Sequence, residues 1–418
     1  MEFNKLGLNK HILKSIKELN YNQPTEVQAQ TIPLVLDKND LIVKAPTGTG
    51  KTAAFALSII HQLYDKQERG KKIKPIRALI ITPTRELAQQ IHENFKNYIK
   101  YSKLELAVVV GGLSIDEQQK ILSKGVDILI ATPGRLLDLN KQEIVNLSKV
   151  ETFVIDEADL MLNMGFINEV TKINNLCPFK KQTLLFSATM PNKVIELSHT
   201  ILINPIEINI STTVLSQSIK QRLFYVPIKE KNNLLIHLLT NDISKELEKK
   251  KGNILIFRRT KYGVEKLEKL LIDKGYLVET IHGNKTQLNR QDALNRFKNH
   301  QSNILIATDI AARGIDIDNV ELVINFDFPR VAETYVHRIG RTGRAGQVGK
   351  AYSFCCAEEK EFLKQTQKLL KEVIPVNTGH PFELPSDAQP QIHKRKGGSK
   401  YRKGRKSKSS KKNKKRWY

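Results

Sequence analysis

The feature that most limits how this chain can fold is an alternation of short, uninterrupted apolar runs with amphipathic helical stretches, and it occurs twice. In the first half the runs are residues 41–44, 78–82, 106–110, 127–131, 152–155 and 183–186, with helical patterns such as 84–100 between them. Runs this short and this apolar suit strands buried on both faces, and a strand–helix–strand rhythm gives a parallel sheet with helices on both sides. The second half repeats the scheme with runs at 253–257, 277–281, 303–307, 322–325 and 350–354, and helical stretches at 262–274 and 287–297. Two tandem α/β domains, each with a mostly parallel sheet, are therefore expected at 1–210 and 219–375. The polar, unpatterned residues 211–218 read as a linker. Residues 376–418 read as a basic disordered tail, because they are rich in Pro, Lys, Arg, Ser and Gly and cannot bury enough apolar surface to offset chain entropy.

Totals agree with that division and narrow the class. A length of 418 residues suits two ordinary cores plus an extension, and 40% hydrophobic residues are enough to fill them. No apolar run approaches the roughly 18 residues of a membrane span, so no membrane association is expected. The first 14 residues carry Glu2 and no apolar stretch, unlike a secretory signal. Cys177, Cys355 and Cys356 have neither metal-ligand spacing nor a disulfide framework, which fits a reducing cytoplasm. Net charge is +25, and residues 394–416 hold 14 Lys or Arg with no acid, leaving a formal +11 elsewhere. A polyanion is the natural partner of such a chain, and Tyr401, Trp417 and Tyr418 are aromatic groups that could stack on bases. A tail that only keeps the chain soluble is the alternative.

Ala45-Pro-Thr47-Gly48-Thr49-Gly50-Lys51-Thr52 follows the run 41–44 and opens a helical stretch. This is the context a phosphate-binding loop requires. The glycines admit unusual φ values and close backbone approach, while free N–H groups and the helix N-terminus attract phosphate oxygen. Lys51 is placed for the β- and γ-phosphates of ATP, and the Thr52 hydroxyl for Mg²⁺. Asp156-Glu157-Ala158-Asp159 follows another buried run. Two carboxylates there are costly unless a cation or a proton transfer uses them. Asp156 suits the Mg²⁺ shell and Glu157 suits activation of the attacking water. An acidic helix cap is the alternative use of the same residues.

At this point the sequence resembles the DEAD-box ATP-dependent RNA helicases, specifically the small generalist bacterial kind. Further motifs agree in order: Pro83-Thr-Arg-Glu-Leu-Ala88, Gly111-Gly112, Thr132-Pro-Gly-Arg135, Ser187-Ala-Thr189, Gln287-Leu-Asn-Arg290, the segment 307–316 and His337-Arg-Ile-Gly-Arg-Thr-Gly-Arg344. The resemblance implies two RecA-like domains over residues 3–375. It also implies an adenine-reading segment in which Gln28 pairs with the base and Phe3 and Tyr21 lie beside it, with helix packing as the other use of the two rings. Asn20 stands where the family usually has Gly, and Asn tolerates the positive φ that such a turn needs.

Site roles also follow from the resemblance. Arg341 and Arg344 would bring planar, permanent charge to the terminal phosphate, surface salt bridging being the alternative. His337 would couple nucleotide to RNA, and Gly314 and Asp316 would reach the ribose and γ-phosphate side. Thr84, Arg85, Gly112, Thr132, Gly134 and Arg135 would hold an RNA backbone, joined by Arg258, Gln287, Arg290 and Thr308 from the second half. Thr84 and Thr132 could equally cap helices. Asp309 cannot contact a phosphate directly, so a ribose hydroxyl or a salt bridge with an arginine is its expected use. Ser187, Thr189 and Asp159 would link hydrolysis to strand separation.

The expected activity is RNA-stimulated ATP hydrolysis with local, non-processive unwinding of short duplexes by a monomer. An ATP-gated RNA clamp or annealer, a DNA helicase and an inactive scaffold are the competing readings. Ribosomal precursors or RNA decay machinery are the expected surroundings.

Overall fold

The computed structural model describes residues 2–64, 74–210, 219–243, 253–312, 317, 320–343 and 348–385. Arg344, Gly314, Asp316, the linker 211–218 and the basic segment 394–416 lie outside the described residues. The first lobe contains β1 (Leu41–Lys44), β2 (Ala78–Ile81), β3 (Leu106–Val109), β4 (Ile128–Ala131), β5 (Thr152–Ile155), β6 (Gln182–Ser187) and β7 (Ile206–Asn209) in the order β3-β4-β2-β5-β6-β1-β7. The second contains β8 (Ile219–Tyr225), β9 (Ile254–Arg258), β10 (Val278–Ile281), β11 (Ile304–Thr308), β12 (Leu322–Asn325) and β13 (Gly349–Cys355) in the order β10-β11-β9-β12-β13-β8. All the paired strands run parallel. With β8 in the place of β1, the two orders are the same apart from β7.

Both faces of each sheet are covered. Ile80, Ile128, Ile130 and Val154 pack on one side of the first sheet with Phe55, Ile91 and Phe95, while Leu79, Leu129, Phe153 and Ile155 pack on the other with Leu136, Met161 and Val194. Burying each such side chain contributes roughly 1.5–3 kcal/mol. This two-sided burial is why the strands read as continuous apolar runs.

The strands outside the sequence expectation are β7 and β8. Alternating polar residues in both disguise them: β7 buries one position in four, and β8 interleaves exposed Lys220 and Arg222 with buried Ile219 and Gln221. Residues 376–385, expected in the tail, instead lie against the second lobe. Asn377 N donates to Leu223 O at 2.7 Å and Leu384 N to Tyr225 O at 3.1 Å, while Phe382 packs on the core. Two backbone carbonyls on an edge strand find partners this way, a gain that apolar periodicity does not register. Cys355 and Cys356 are buried at the end of β13, as their apolar surroundings imply. Asn20 takes φ 59°, so the turn that glycine usually makes survives.

Candidate nucleotide and RNA site

Strands β5, β6 and β1 are neighbours, and their C-terminal ends deliver the phosphate-handling groups to one edge, where open parallel sheets bind ligands. After β1 the chain turns through Ala45 to Gly50 and enters the helix Lys51–Tyr64. Gly50 has φ 93°, and a Cβ there would collide with the Gln28 amide, so only glycine serves. Lys51 is buried and its Nζ donates to Ala45 O at 2.7 Å. Thr49 Oγ1 donates to Pro46 O at 2.8 Å, and Thr52 is the second residue of the helix.

Glu157 adopts φ 54°, ψ 54°, a left-handed conformation that costs a non-glycine residue roughly 1–3 kcal/mol. Among the described residues its buried Oε2 has no hydrogen-bond partner. Asp156 accepts from Glu157 N at 3.0 Å. Burial pushes its carboxyl up to about 7, with Lys51 opposing and Glu157 adding to the rise. Such oxygen donors, denied solvent and short of positive charge, fit a magnesium ion.

Asp159 is the meeting point of the site. Its Oδ2 accepts from Thr189 N at 3.0 Å and Thr189 Oγ1 at 2.9 Å, and lies 3.4 Å from His337 Nε2 on the second lobe. Ser187 Oγ accepts from Asp159 N at 3.2 Å and donates to Thr189 O at 2.6 Å. Burial works against ionisation of Asp159, but His337, Lys51 and Thr189 together hold its carboxyl below the usual range. Three residues beyond His337, a Cβ on Gly340 would sit 3.2 Å from Thr47 Oγ1 of the phosphate loop and 3.1 Å from Val336 O. The next residue, Arg341, is buried at 6% exposure.

Gln28 lies against this loop in two ways. Its Oε1 accepts from Thr25 N at 3.0 Å, capping the helix Glu26–Leu36, and its Nε2 donates to Gly50 O at 3.3 Å. Each amide atom keeps one further hydrogen-bonding capacity. Phe3 is buried and stacks with Tyr21 at 6.4 Å between centroids, and Tyr21 Oη bonds Tyr98 Oη at 3.0 Å. Phe3 is thus packed in the core, while Tyr21 stays 37% exposed.

A second set of groups gathers away from the phosphate loop. Arg85 crosses the turn after β3 so closely that a Cβ on Gly112, which has φ 78°, would overlap its guanidinium. Arg135 donates to Leu113 O through both Nη atoms, at 3.1 and 3.2 Å. Thr84 caps the helix Arg85–Tyr98 by accepting from Leu87 N at 3.3 Å. Thr132 and Gly134 stand at the start of the helix Pro133–Lys141, which Thr132 precedes without a side-chain capping bond. From the second lobe, Arg290 Nη2 lies 3.0 Å from Glu86 Oε1, an ion pair without the angle of a hydrogen bond. Burial lowers the Arg290 pKa, Glu86 opposes, and Arg85 adds to the lowering. Both amide atoms of Gln287 are buried without a partner among the described residues. Arg258 is held by Asp327 Oδ1 at 3.2 Å and lies 4.2 Å over the Phe326 ring. Thr308 ends β11, and Asp309 takes the salt-bridge alternative: Arg338 grips both its oxygens, at 2.6 and 2.8 Å.

Four residues in these contacts, Glu86, Gly340, Asp327 and Arg338, have uses that the sequence does not single out. Glu86 and Gly340 sit inside motifs that were visible, but their use depends on the opposite lobe. Asp327 carries one faint signal, a carboxylate just beyond a fully buried strand.

Known proteins are similar to this chain in sequence and fold. Residues 25–197 match the DEAD/DEAH box helicase family and residues 230–346 the helicase conserved C-terminal domain. The DEAD-box ATP-dependent RNA helicase RhpA of Helicobacter pylori is 38% identical over 94% of this chain and 76% of its own length. The ATP-dependent RNA helicase CshA of Listeria monocytogenes is 40% identical over 89% and 69%. Among solved structures, Saccharomyces cerevisiae Dbp5 bound to RNA and ADP BeF3 aligns at 30% identity over 90% of this chain and 95% of its own, with TM-score 0.80. A DEAD box protein from Methanococcus jannaschii has higher identity, 37%, and covers 90% of this chain and 99% of its own, yet its TM-score is 0.51. No helix among the described residues is long and apolar enough to cross a membrane. The chain belongs to the DEAD-box family of ATP-dependent RNA helicases.

Proposed function

We propose that ATP and Mg²⁺ draw the two lobes onto a single RNA strand, and that this closure, followed by hydrolysis and reopening, separates short duplexes locally without travelling along them. The observation that carries the reading is the bond from His337 to Asp159 across the lobes, 3.4 Å long and one residue cluster away from Lys51, Asp156 and Glu157. A group that reports on nucleotide is thereby tied to the lobe that must move. The better superposition on a relative solved with RNA and ADP BeF3 than on a relative of higher identity supports a lobe placement of the closed kind.

Within this reading Lys51 and the turn Ala45–Gly50 bind the phosphates, Thr52 and Asp156 hold Mg²⁺, and Glu157 orients and deprotonates water. Arg341 steadies charge developing on the terminal phosphate, and the resemblance adds Arg344, Gly314 and Asp316. The ion, when bound, neutralises phosphate charge. Gln28 meets the adenine edge with its remaining donor and acceptor. Arg85, Gly112, Arg135, Arg258, Gln287 and Arg290 hold phosphates and sugars, so sequence is not read. A monomer in the cytoplasm, working on ribosomal precursors or in RNA decay, suits a site built from one chain.

Strand release from RNA duplexes of increasing length tests this. With ATP, a duplex of about one helical turn is expected to separate quickly and one three times longer hardly at all. Equal rates for both would overturn local unwinding, and no release from either would favour the RNA clamp. ATP is expected to be hydrolysed in preference to GTP, and equal rates would remove the role given to Gln28.

A further inference from the structure

The two lobes differ at one corner. In the first, β7 covers the outer edge of β1. In the second, the corresponding edge of β8 instead meets residues 375–377 through Leu223, which has an isolated bridge to Val376, and Leu384 through Tyr225. Beside this short contact a cavity of about 510 Å³ opens, lined by Lys220, Arg222, Lys350, Tyr352, Asn241, Asp242 and Asn377. That volume falls inside the roughly 300–1,000 Å³ of ordinary small-molecule sites.

Its lining is selective in charge. Among the described residues three cations face one carboxylate, and two side-chain amides add neutral donors. Lys220 and Arg222 project from the same face of β8, in register with Lys350 and Tyr352 of β13. The Arg222 guanidinium lies 5.6 Å from the centre of the Tyr352 ring, an arrangement that orients its planar donors. Cations on an edge strand also deter pairing with other chains. That is the other use of Lys220 and Arg222, while Lys350 stands on β13, which is paired on both sides, with β12 and with β8. The cavity lies at the opposite edge of the second sheet from β10 and β11, whereas the RNA groups of this lobe stand at the ends of β9 and β11 and at the start of the helix Gln287–Lys298.

We propose that this cavity binds two neighbouring phosphate groups, separately from the nucleotide and RNA cleft, with Lys220, Arg222 and Lys350 as the anion ligands. Fork-shaped donors from Arg222 match phosphate oxygens, and the lysines supply point charges around them. The phosphates could belong to RNA that extends past the cleft or to a free diphosphate compound, and the same variant separates these sources.

Full-length wild type and the Lys220→Ala/Arg222→Ala variant are compared with the phosphate loop saturated by ADP and Mg²⁺. Inorganic pyrophosphate is titrated by calorimetry, and RNA strands of roughly 10 and roughly 30 nucleotides are titrated by fluorescence anisotropy. A source in RNA predicts that the variant loses about tenfold in affinity for the longer strand only, with the salt slope reduced by about 1.4. A free diphosphate source predicts that the variant loses pyrophosphate heat while both strands bind as before. Loss of both signals means that RNA and free diphosphate share the cavity. Unchanged binding of pyrophosphate and of the longer strand would overturn the site, as would equal weakening of both strands with pyrophosphate unchanged. ATPase activity with the short strand reports on the cleft alone, so failure of the proposed helicase cycle and failure of this site read differently.

Discussion

Among the described residues two seams join the lobes, and they are finished to different degrees. At the nucleotide seam Asp159 collects Thr189 N, Thr189 Oγ1 and His337 Nε2, so the carboxylate is satisfied by the protein itself. At the RNA seam, Glu86 and Arg290 meet without a well-aligned hydrogen bond, Arg290 Nε is buried without a partner, and Gln287 has neither amide atom satisfied among the described residues. A buried polar group left unpaired costs about 1–3 kcal/mol, so the second seam gains when a ligand supplies partners and the first does not need one. The lobes can therefore be held by protein contacts at the first seam, while under the proposed function an RNA strand would complete the second.

The largest effects should arise where that first seam meets the chemistry. Glu157→Gln keeps shape but removes the base, and kcat for ATP is expected to fall by a factor on the order of 10²–10⁴ with nucleotide affinity retained. Measured turnover within twofold of wild type would take Glu157 out of proton transfer. Arg341→Ala should cost about 10³ or more in kcat without weakening ATP binding in the first lobe. A purely structural arginine would instead lower stability and leave turnover per folded molecule intact.

Asp159→Ala tests the seam itself. His337 and Thr189 lose an acceptor that is buried and charged, a loss of about 1.5–3 kcal/mol and hence of roughly 10–100-fold in closure. RNA-stimulated ATPase should fall by that factor, while the small RNA-independent rate should fall less. Equal loss of both rates would mean that Asp159 serves the phosphate loop and not the contact between lobes.

Asp156 gives the comparison a pH dependence. Burial raises its carboxyl to about 7, so the protonated form is favoured by the fold without cation. The stability linked to that proton is present below the unfolded value of about 4 and is lost as pH rises towards 7. Binding of Mg²⁺ with ATP demands the ionised form, so affinity should climb with pH up to about 7 and then level off. Calorimetry at pH 6.5 in two buffers of different ionisation heat should show uptake by the buffer of up to about one proton per site. No buffer dependence would mean that the ion does not contact Asp156.

Much of this was legible before any coordinates. Strand positions, the phosphate loop and the acidic pair each depend on contiguous residues, and local patterns record them well. The Asn20 turn also follows from residue chemistry, since it needs only a tolerated φ, whereas the impossibility of an acid meeting phosphate leaves Asp309 two uses and does not single out Arg338. The missing parts are those whose reason lies far along the chain. Glu86 matters because Arg290 arrives from the other lobe, 204 residues later in number, and Gly340 because Thr47 passes beneath it. Strand β8 and residues 376–385 escaped because an edge strand satisfies its backbone with whatever lies nearest, and its side chains follow no apolar run.

Gln287 offers the smallest effect and the cleanest separation of the seams. Its amide is buried and has no partner among the described residues, so Gln287→Leu removes a desolvation cost and should leave thermal stability unchanged or slightly higher. With RNA bound the sign reverses, because the wild-type amide then has something to bond, and affinity for a single strand should fall roughly 3–10-fold. Asp159→Ala, by contrast, should lower stability and RNA-stimulated turnover together. Parallel melting and RNA titration of the two variants therefore distinguish a seam that protein completes from one that RNA completes. If Gln287→Leu were strongly destabilising, its amide would have a partner in the free protein and the distinction between the seams would collapse.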